Sequence, residues 1–234
     1  MSIGIIAVLI SILVPAISSA RNKSKELGSA VNLRSIGQIV ELYLNDGRSS
    51  YPAPVPNQMY QTPRSSIQVS LSHWQASERW NLLFANQYSW QEHTHLYLSP
   101  GATRELEMTS VMQTILPSYR YSASFLGHPK IWSEEDFKGS EWPRLEKSVK
   151  QSMVRYPSGK ALMWDEELPT IRRALERDMF GNLKEITPIL FADQHVESHI
   201  PAEANPGVTN WAPSAAHAHP FLHNTRDGVY GRDY

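Results

Sequence analysis

The chain has 234 residues, no cysteine and a formal charge of -1. That length allows one large domain or two small ones, and the absence of cysteine excludes disulfides, thiolate metal sites and cysteine nucleophiles. The near-neutral charge, with Lys and Arg clustered only between Arg21 and Lys25, leaves no basic stripe for a nucleic acid.

Mean hydropathy is -0.39, yet the stretch from Ile3 to Ala20, IGIIAVLISILVPAISSA, contains no charge. Its Ile, Leu and Val residues, among them Ile5, Ile6, Leu9 and Leu13, favour a bilayer by roughly 3 to 6 kcal/mol on the insertion scale. Gly4, Ser11 and Pro15 subtract from that. Eighteen helical residues reach about 27 Å, just short of a hydrocarbon core of about 30 Å. Three readings compete for residues 1–20. A buried core helix rarely runs so long without a larger polar interruption. Ser18-Ser19-Ala20 offers small residues for signal peptidase, although no basic n-region precedes the block. A membrane-spanning half-helix agrees best with the amphipathic segment beyond Leu27.

From Leu27 the apolar residues Ala30, Leu33, Ile36, Val40, Tyr43 and Leu44 recur three or four apart, the period of an amphipathic helix. No Gly-Pro break separates the two segments, so one helix is expected from Ile3 to a stop at Asn45-Asp46-Gly47. Residues 1–20 form its apolar half and 21–46 its amphipathic half. Leu27, Val31 and Leu42 lie off the main stripe and are available to neighbouring subunits.

Pro52, Pro54 and Pro56 alternate and lead away from the helix as extended loop, which opens a globular region spanning 47–234. Trp80 to Tyr88 reads as a short helix or turn, and His95 to Gly101 as a strand ended by Pro-Gly. Arg120, Ser122 and Ser124 alternate with apolar neighbours between Tyr119 and Phe125, the period of a half-buried strand. Lys160 to Trp164 is a further strand. The polar insertion GHPKIWSEEDFKGSEWPRLEKSV reads as a solvated excursion. Asp193-Gln194 separates PILFA from HVESHI as a two-residue hairpin turn would, with Gln194 where a type I′ turn needs positive φ and favours Gly. A strain of about 1 kcal/mol or another turn type is expected there. Together these segments describe an α+β fold: a long N-terminal helix on a small antiparallel sheet of three or four strands, with long loops.

The run IIAVLISILVPA, then NLRSIGQIVELYLND, SYRYSASFLG, VRYPSGKALMWDEE and ITPILFADQHVESH closely resemble, in order and spacing, type IV pilin-like proteins. The similarity is to type II secretion pseudopilins, in particular the large pseudopilin-like proteins of planctomycete and verrucomicrobial bacteria, which usually carry FADGHV. The resemblance implies a pilin-like fold and a structural, non-catalytic subunit. It would be a single-pass protein of the bacterial inner membrane with its C-terminal domain in the periplasm, assembling with itself or other pseudopilins through the N-terminal helix and meeting a secretion-system assembly platform. Gly28, Ala30 and Gly37 would allow close helix packing. The basic residues Arg21, Lys23 and Lys25 after the span would by charge alone put that end in the cytoplasm; the resemblance puts it outside. The family's peptidase-cleavage Gly and following Phe-Thr-Leu-Ile-Glu stretch do not precede the apolar run; either the start codon is misassigned or the protein is not processed, and a misassigned start with in-frame codons upstream is the first expectation.

Candidate chemistry is sparse. His195 and His199 lie four apart on a strand, roughly 13 Å along it, too far to share one ion with ligand bonds near 2.1 Å. His217, His219 and His223 define the rival reading, a periplasmic or membrane-tethered metal-dependent hydrolase. Asn224, Asp227 and Asp233 are oxygen donors suited to Ca²⁺, and Asp227-Gly228 reads equally as a turn; otherwise no cofactor is expected. Asp165-Glu166-Glu167 reads as an exposed acidic turn. Trp132, Trp142 and Trp211 are candidates for sugar or partner contacts, or for ordinary core filling.

Overall fold

The computed structural model describes residues 2–55, 57–61, 68–84, 90–102, 116–133, 145, 147–169, 176–209 and 220–234. Helix α1 runs without a break from Ser2 to Tyr43, with Pro15 inside it. The chain does not stop at Asn45–Gly47 as its Gly suggests. A π-helical turn, Leu44–Arg48, continues it, and Ser49 takes the left-handed conformation (φ 49°) that closes the end, its N–H donating to the Leu44 carbonyl at 3.0 Å. Leu44 is buried, so its packing carries the helix past the glycine.

A two-stranded antiparallel ribbon joins β1 (Met59–Gln61) to β2 (Gln68–Ser70). Helix α2 (His73–Glu78) follows, opened by a capping box between Ser72 and Gln75. Among the described residues, strands β3 (Tyr119–Tyr121), β4 (Ala161–Asp165), β5 (Thr187–Phe191) and β6 (Val196–His199) form one antiparallel sheet in the order β3-β4-β5-β6. Tyr119 pairs with Asp165, Trp164 with Ile189 and Thr187 with His199. Helix α1 crosses the sheet over β5, also touching β4 and β6. Its stripe of Leu33, Ile36, Val40 and Leu44 enters a core with Tyr121, Phe125, Leu162 and Leu190, each such side chain contributing about 1.5 to 3 kcal/mol. The opposite face is covered by Phe221 and Leu222 from the C-terminal segment, packed on Ala161, Trp164, Ile189 and Phe191. Every residue of β4 and β5 is therefore buried, which is why ALMW and PILF read as unbroken apolar runs.

Several local expectations change. His95 to Tyr97 end helix α3 (Trp90–Tyr97) rather than a strand. The Asn32 amide reaches from α1 to the carbonyls of His95 and Leu98, 3.1 Å each, satisfying the helix end, while Tyr97 packs edge-on against Trp80 at 5.4 Å. Strand β3 is only three residues long. Ser122 and Ser124, expected on a solvent face, are fully buried, and their hydroxyls donate to the carbonyls of Leu222 (2.6 Å) and His223 (2.8 Å); those bonds turn the chain into a 3₁₀ turn, Ala123–Phe125. The excursion after Gly127 is not wholly solvated: Ile131 and Trp132 lie in a buried 3₁₀ turn, so Trp132 is a core residue. At the excursion's far end Val149 is buried in the main core and Leu145 packs beside Ile131 and Trp132; residues 134–144 and 146, with Trp142, lie outside the described residues, as does Trp211. Trp80–Phe84 is a 3₁₀ turn, within the expected short helix, and Tyr51, Pro52 and Pro54 lie outside helix and strand yet are buried.

The hairpin between β5 and β6 has a three-residue loop. The Phe191 N–H donates to the His195 carbonyl (2.9 Å), the Gln194 N–H donates to the Phe191 carbonyl (3.0 Å), and Gln194 has φ 75° while Asp193 does not share the positive φ. This is a turn followed by a left-handed bulge residue, in place of the two-residue type I′ turn. The positive φ expected at Gln194 is present.

Candidate functional site

The two halves of α1 have opposite surroundings. Ile6, Leu9, Ile10, Ile12, Leu13, Val14 and Ile17 are each more than half exposed, and Pro15 is exposed with them; Leu33, Ile36 and Val40 have no exposed surface. The Ile5 side chain lies outside the described set. Among the described residues no helix is long and apolar enough to cross a membrane; the side chains of residues 1–5, 7 and 8 are not among them, so they include only part of the Ile3–Ala20 block. On the buried half, Leu27 (66%), Val31 (56%) and Leu42 (59%) face outward as a second apolar row. Gly28 and Gly37, expected to admit neighbouring subunits, face this chain's own head: a β carbon at residue 28 would lie 2.9 Å from Pro100 Cγ, and one at residue 37 would be 3.1 Å from Leu190 Cδ1.

The helix leaves the head through a polar collar. Asp165, expected in an exposed acidic turn, is fully buried. Its Oδ2 accepts from the hydroxyls of Ser29 (2.5 Å) and Ser99 (2.6 Å), and its Oδ1 accepts from the backbone N–H groups of Glu167 (2.9 Å) and Leu168 (2.8 Å). Burial raises the Asp165 carboxyl above the usual carboxylate range, against the pull of these four donors. Just outside, Ser198 donates to Glu26 (3.0 Å), and Lys23 pairs with Glu26 at 3.1 Å. Sequence reasoning missed this collar, although Ser29 stands at the spacing of Leu33 and Ile36 and so on the buried stripe.

Glu166 and Glu167 do stand at an accessible surface. Arg120 bridges Glu78 (2.7 Å) and Glu166 (2.5 Å), and Glu167 accepts a hydrogen bond from Ser118. The groups rim a cleft of about 290 Å³ that also includes Arg177. Arg120 and Arg177 pair with two of its three carboxylates, Glu78 and Glu166, in an ion-pair network.

The C-terminal candidates are dispersed in role. Asp233 is buried and its carboxylate is engaged by Lys160, Thr225 and the Ala161 N–H. Asn224 is buried, and Asp227 is exposed with φ 60° at the turn into Gly228. His223 is a core histidine at 4% exposure, its ring edge-on to Trp164 at 4.5 Å and its Nδ1 3.3 Å from Ser77 Oγ. His217 and His219 lie outside the described residues. His195 stacks on Phe191 at 4.4 Å and His199 on Tyr234 at 4.3 Å. Among the described residues no three His, Asp or Glu side chains form a group able to hold a metal ion.

Comparison of the chain with known protein families, curated proteins and solved structures finds no match.

Proposed function

We propose that the chain is a structural, non-catalytic subunit of the pilin-like, pseudopilin kind, held in the bacterial inner membrane by the apolar half of α1 and assembling with copies of itself or related subunits through that helix. The observation that carries this reading is the division of one unbroken helix: its outer third offers exposed apolar side chains, while its inner half is seated on an antiparallel sheet. Apolar surface on that scale is costly in water and favourable in lipid or between helices. The order of the five sequence segments that resemble pseudopilins supports the same reading. In it, the head lies in the periplasm, a secretion-system platform drives assembly, and the row Leu27, Val31, Leu42 faces the next subunit.

The rival hydrolase reading needs convergent metal ligands, and His223, the described member of its trio, is committed to the core. The assembly reading is tested by fractionating cells that express the full chain or a chain lacking residues 2–20. The full chain is expected in the inner-membrane fraction, released by detergent and resistant to alkaline washing, with the truncated chain soluble. Cysteines placed at Leu27, Val31 or Leu42 are expected to cross-link between copies. A full chain recovered in the soluble fraction would overturn the reading.

A further inference from the structure

Lys160 and Asp233 are both completely buried and are 73 residues apart in the chain. The Lys160 Nζ lies 2.9 Å from Asp233 Oδ2, also donates to Thr225 Oγ1, and sits 5.7 Å from the centre of the Phe125 ring. The carboxyl group is held at both oxygens: Oδ2 accepts the Ala161 N–H at 2.8 Å, and Oδ1 accepts the Thr225 hydroxyl at 2.5 Å. An amine and a carboxyl group are thus fixed in contact, in a site without solvent exposure, with a hydrogen-bond donor on each carboxyl oxygen. We propose that the side chains of Lys160 and Asp233 condense to an intramolecular amide bond in the folded protein.

The chemistry is self-contained. Two opposite charges removed from water lose most of their hydration, and a proton shift from Nζ to Oδ2 along their hydrogen bond gives a neutral amine and a neutral acid. Burial pushes the Lys160 ammonium below the usual lysine range, against the pull of Asp233, which assists that shift. The Nζ lone pair then attacks Asp233 Cγ, forming the C–N bond, and the charge that develops on Oδ1 is met by the Thr225 hydroxyl in the manner of an oxyanion hole. The Cγ–Oδ2 bond breaks, and Oδ2 departs as water with two of the three protons first carried by the ammonium. No oxidant, reductant or external group is consumed. Holding the amine in hydrogen-bond contact with the carboxyl group makes the step intramolecular, and that proximity supplies the rate. The bond would fasten the C-terminal segment to the start of β4, and it would form in the single chain, independently of any assembly.

Intact mass spectrometry of the purified full chain tests this directly. The expected mass is one water below that of the sequence, with Lys160→Arg restoring the full value. In a tryptic digest, cleavage after Lys160 should be absent, and a branched peptide should join the segments carrying Lys160 and Asp233. The wild-type mass decides by itself, whether or not Lys160→Arg folds. A mass equal to that of the sequence would overturn the proposal, as would a water loss that fragmentation places at Asp227-Gly228 as a cyclic imide.

Discussion

The side chain of Gln194 rests on Gly37. A β carbon at Gly37 would collide with Gln194 Oε1 and would also meet Leu190 at 3.1 Å, so the β5–β6 turn and α1 approach each other through a glycine on one side and a strained residue on the other. Gln194 holds φ 75°, and its amide oxygen and nitrogen are buried without a hydrogen-bond partner among the described residues. Replacing it by Gly removes a left-handed penalty of about 1 kcal/mol and sacrifices no side-chain hydrogen bond to a described residue. Gln194→Gly should raise the melting temperature by about 2 to 4 °C, the shift expected of that energy in a chain of this size. A fall in thermal unfolding temperature would show that the packing of Gln194 outweighs its strain.

The same contact predicts coupling. Gly37→Ala alone should destabilise the fold, whereas in the Gln194→Gly background the added methyl meets space in place of the amide. A double-mutant cycle on melting curves should return an interaction energy of about 1 kcal/mol or more; additive effects would place the two side chains apart.

Asp165 gives a pH signature with a definite sign. Its folded carboxyl titrates above the unfolded one because burial disfavours the charged form. The native state therefore binds more protons than the unfolded chain in that interval. The associated stability is fully present below the unfolded value near 3.9 and is lost as pH rises through the folded value. Asp165→Asn should flatten this part of the stability profile, measured by denaturant unfolding across pH. Asp165→Ala leaves the Ser29 and Ser99 hydroxyls and two backbone N–H groups unsatisfied, and should cost about 3 kcal/mol or more at acidic pH, the cost shrinking as pH rises through the folded value.

The two rows of α1 should separate stability from assembly. Leu33→Ala or Ile36→Ala removes a fully buried side chain and should cost about 2 to 5 kcal/mol of folding stability. Leu27→Ala, Val31→Ala and Leu42→Ala lie on exposed surface and should stay within about 0.5 kcal/mol in the same unfolding measurement, while reducing cross-linking between copies.

Gly228 carries the C-terminal turn. Its φ is 57° and a β carbon there would strike Trp132 and approach Pro129 Cα at 3.2 Å. Gly228→Ala combines left-handed strain with displacement of a buried tryptophan, and should lower stability by about 2 kcal/mol or more, read as a reduced midpoint in denaturant.

What sequence could reveal divides along physical lines. The length of α1 and its buried stripe were legible because they rest on a period repeated over many residues, and strands β4 to β6 because they are short apolar-rich runs bounded by turn residues. His95–Tyr97 was not: the alternation in HLYLS fits a strand, and the deciding term is the Asn32 amide arriving from α1. Ser122 and Ser124 read as solvent-facing, since the carbonyls that accept their hydroxyls lie about a hundred positions away. Asp165 was hidden for the same reason. Its identity as a buried anchor depends on Ser29, 136 positions earlier, and adjacency to Glu166 and Glu167 disguised it as part of a solvated run. Lys160 and Asp233 likewise acquire meaning only when the chain's end returns to β4.

A rod gripped along its inner half behaves as a lever. From Ser2 to Lys25 the arm is about 36 Å long, against about 28 Å of seated helix from Glu26 to Leu44, at 1.5 Å per residue. A sideways force at the tip therefore concentrates at the fulcrum, where Ser29 meets Asp165, and bending would be resisted there by short polar bonds before the apolar seat behind them yields.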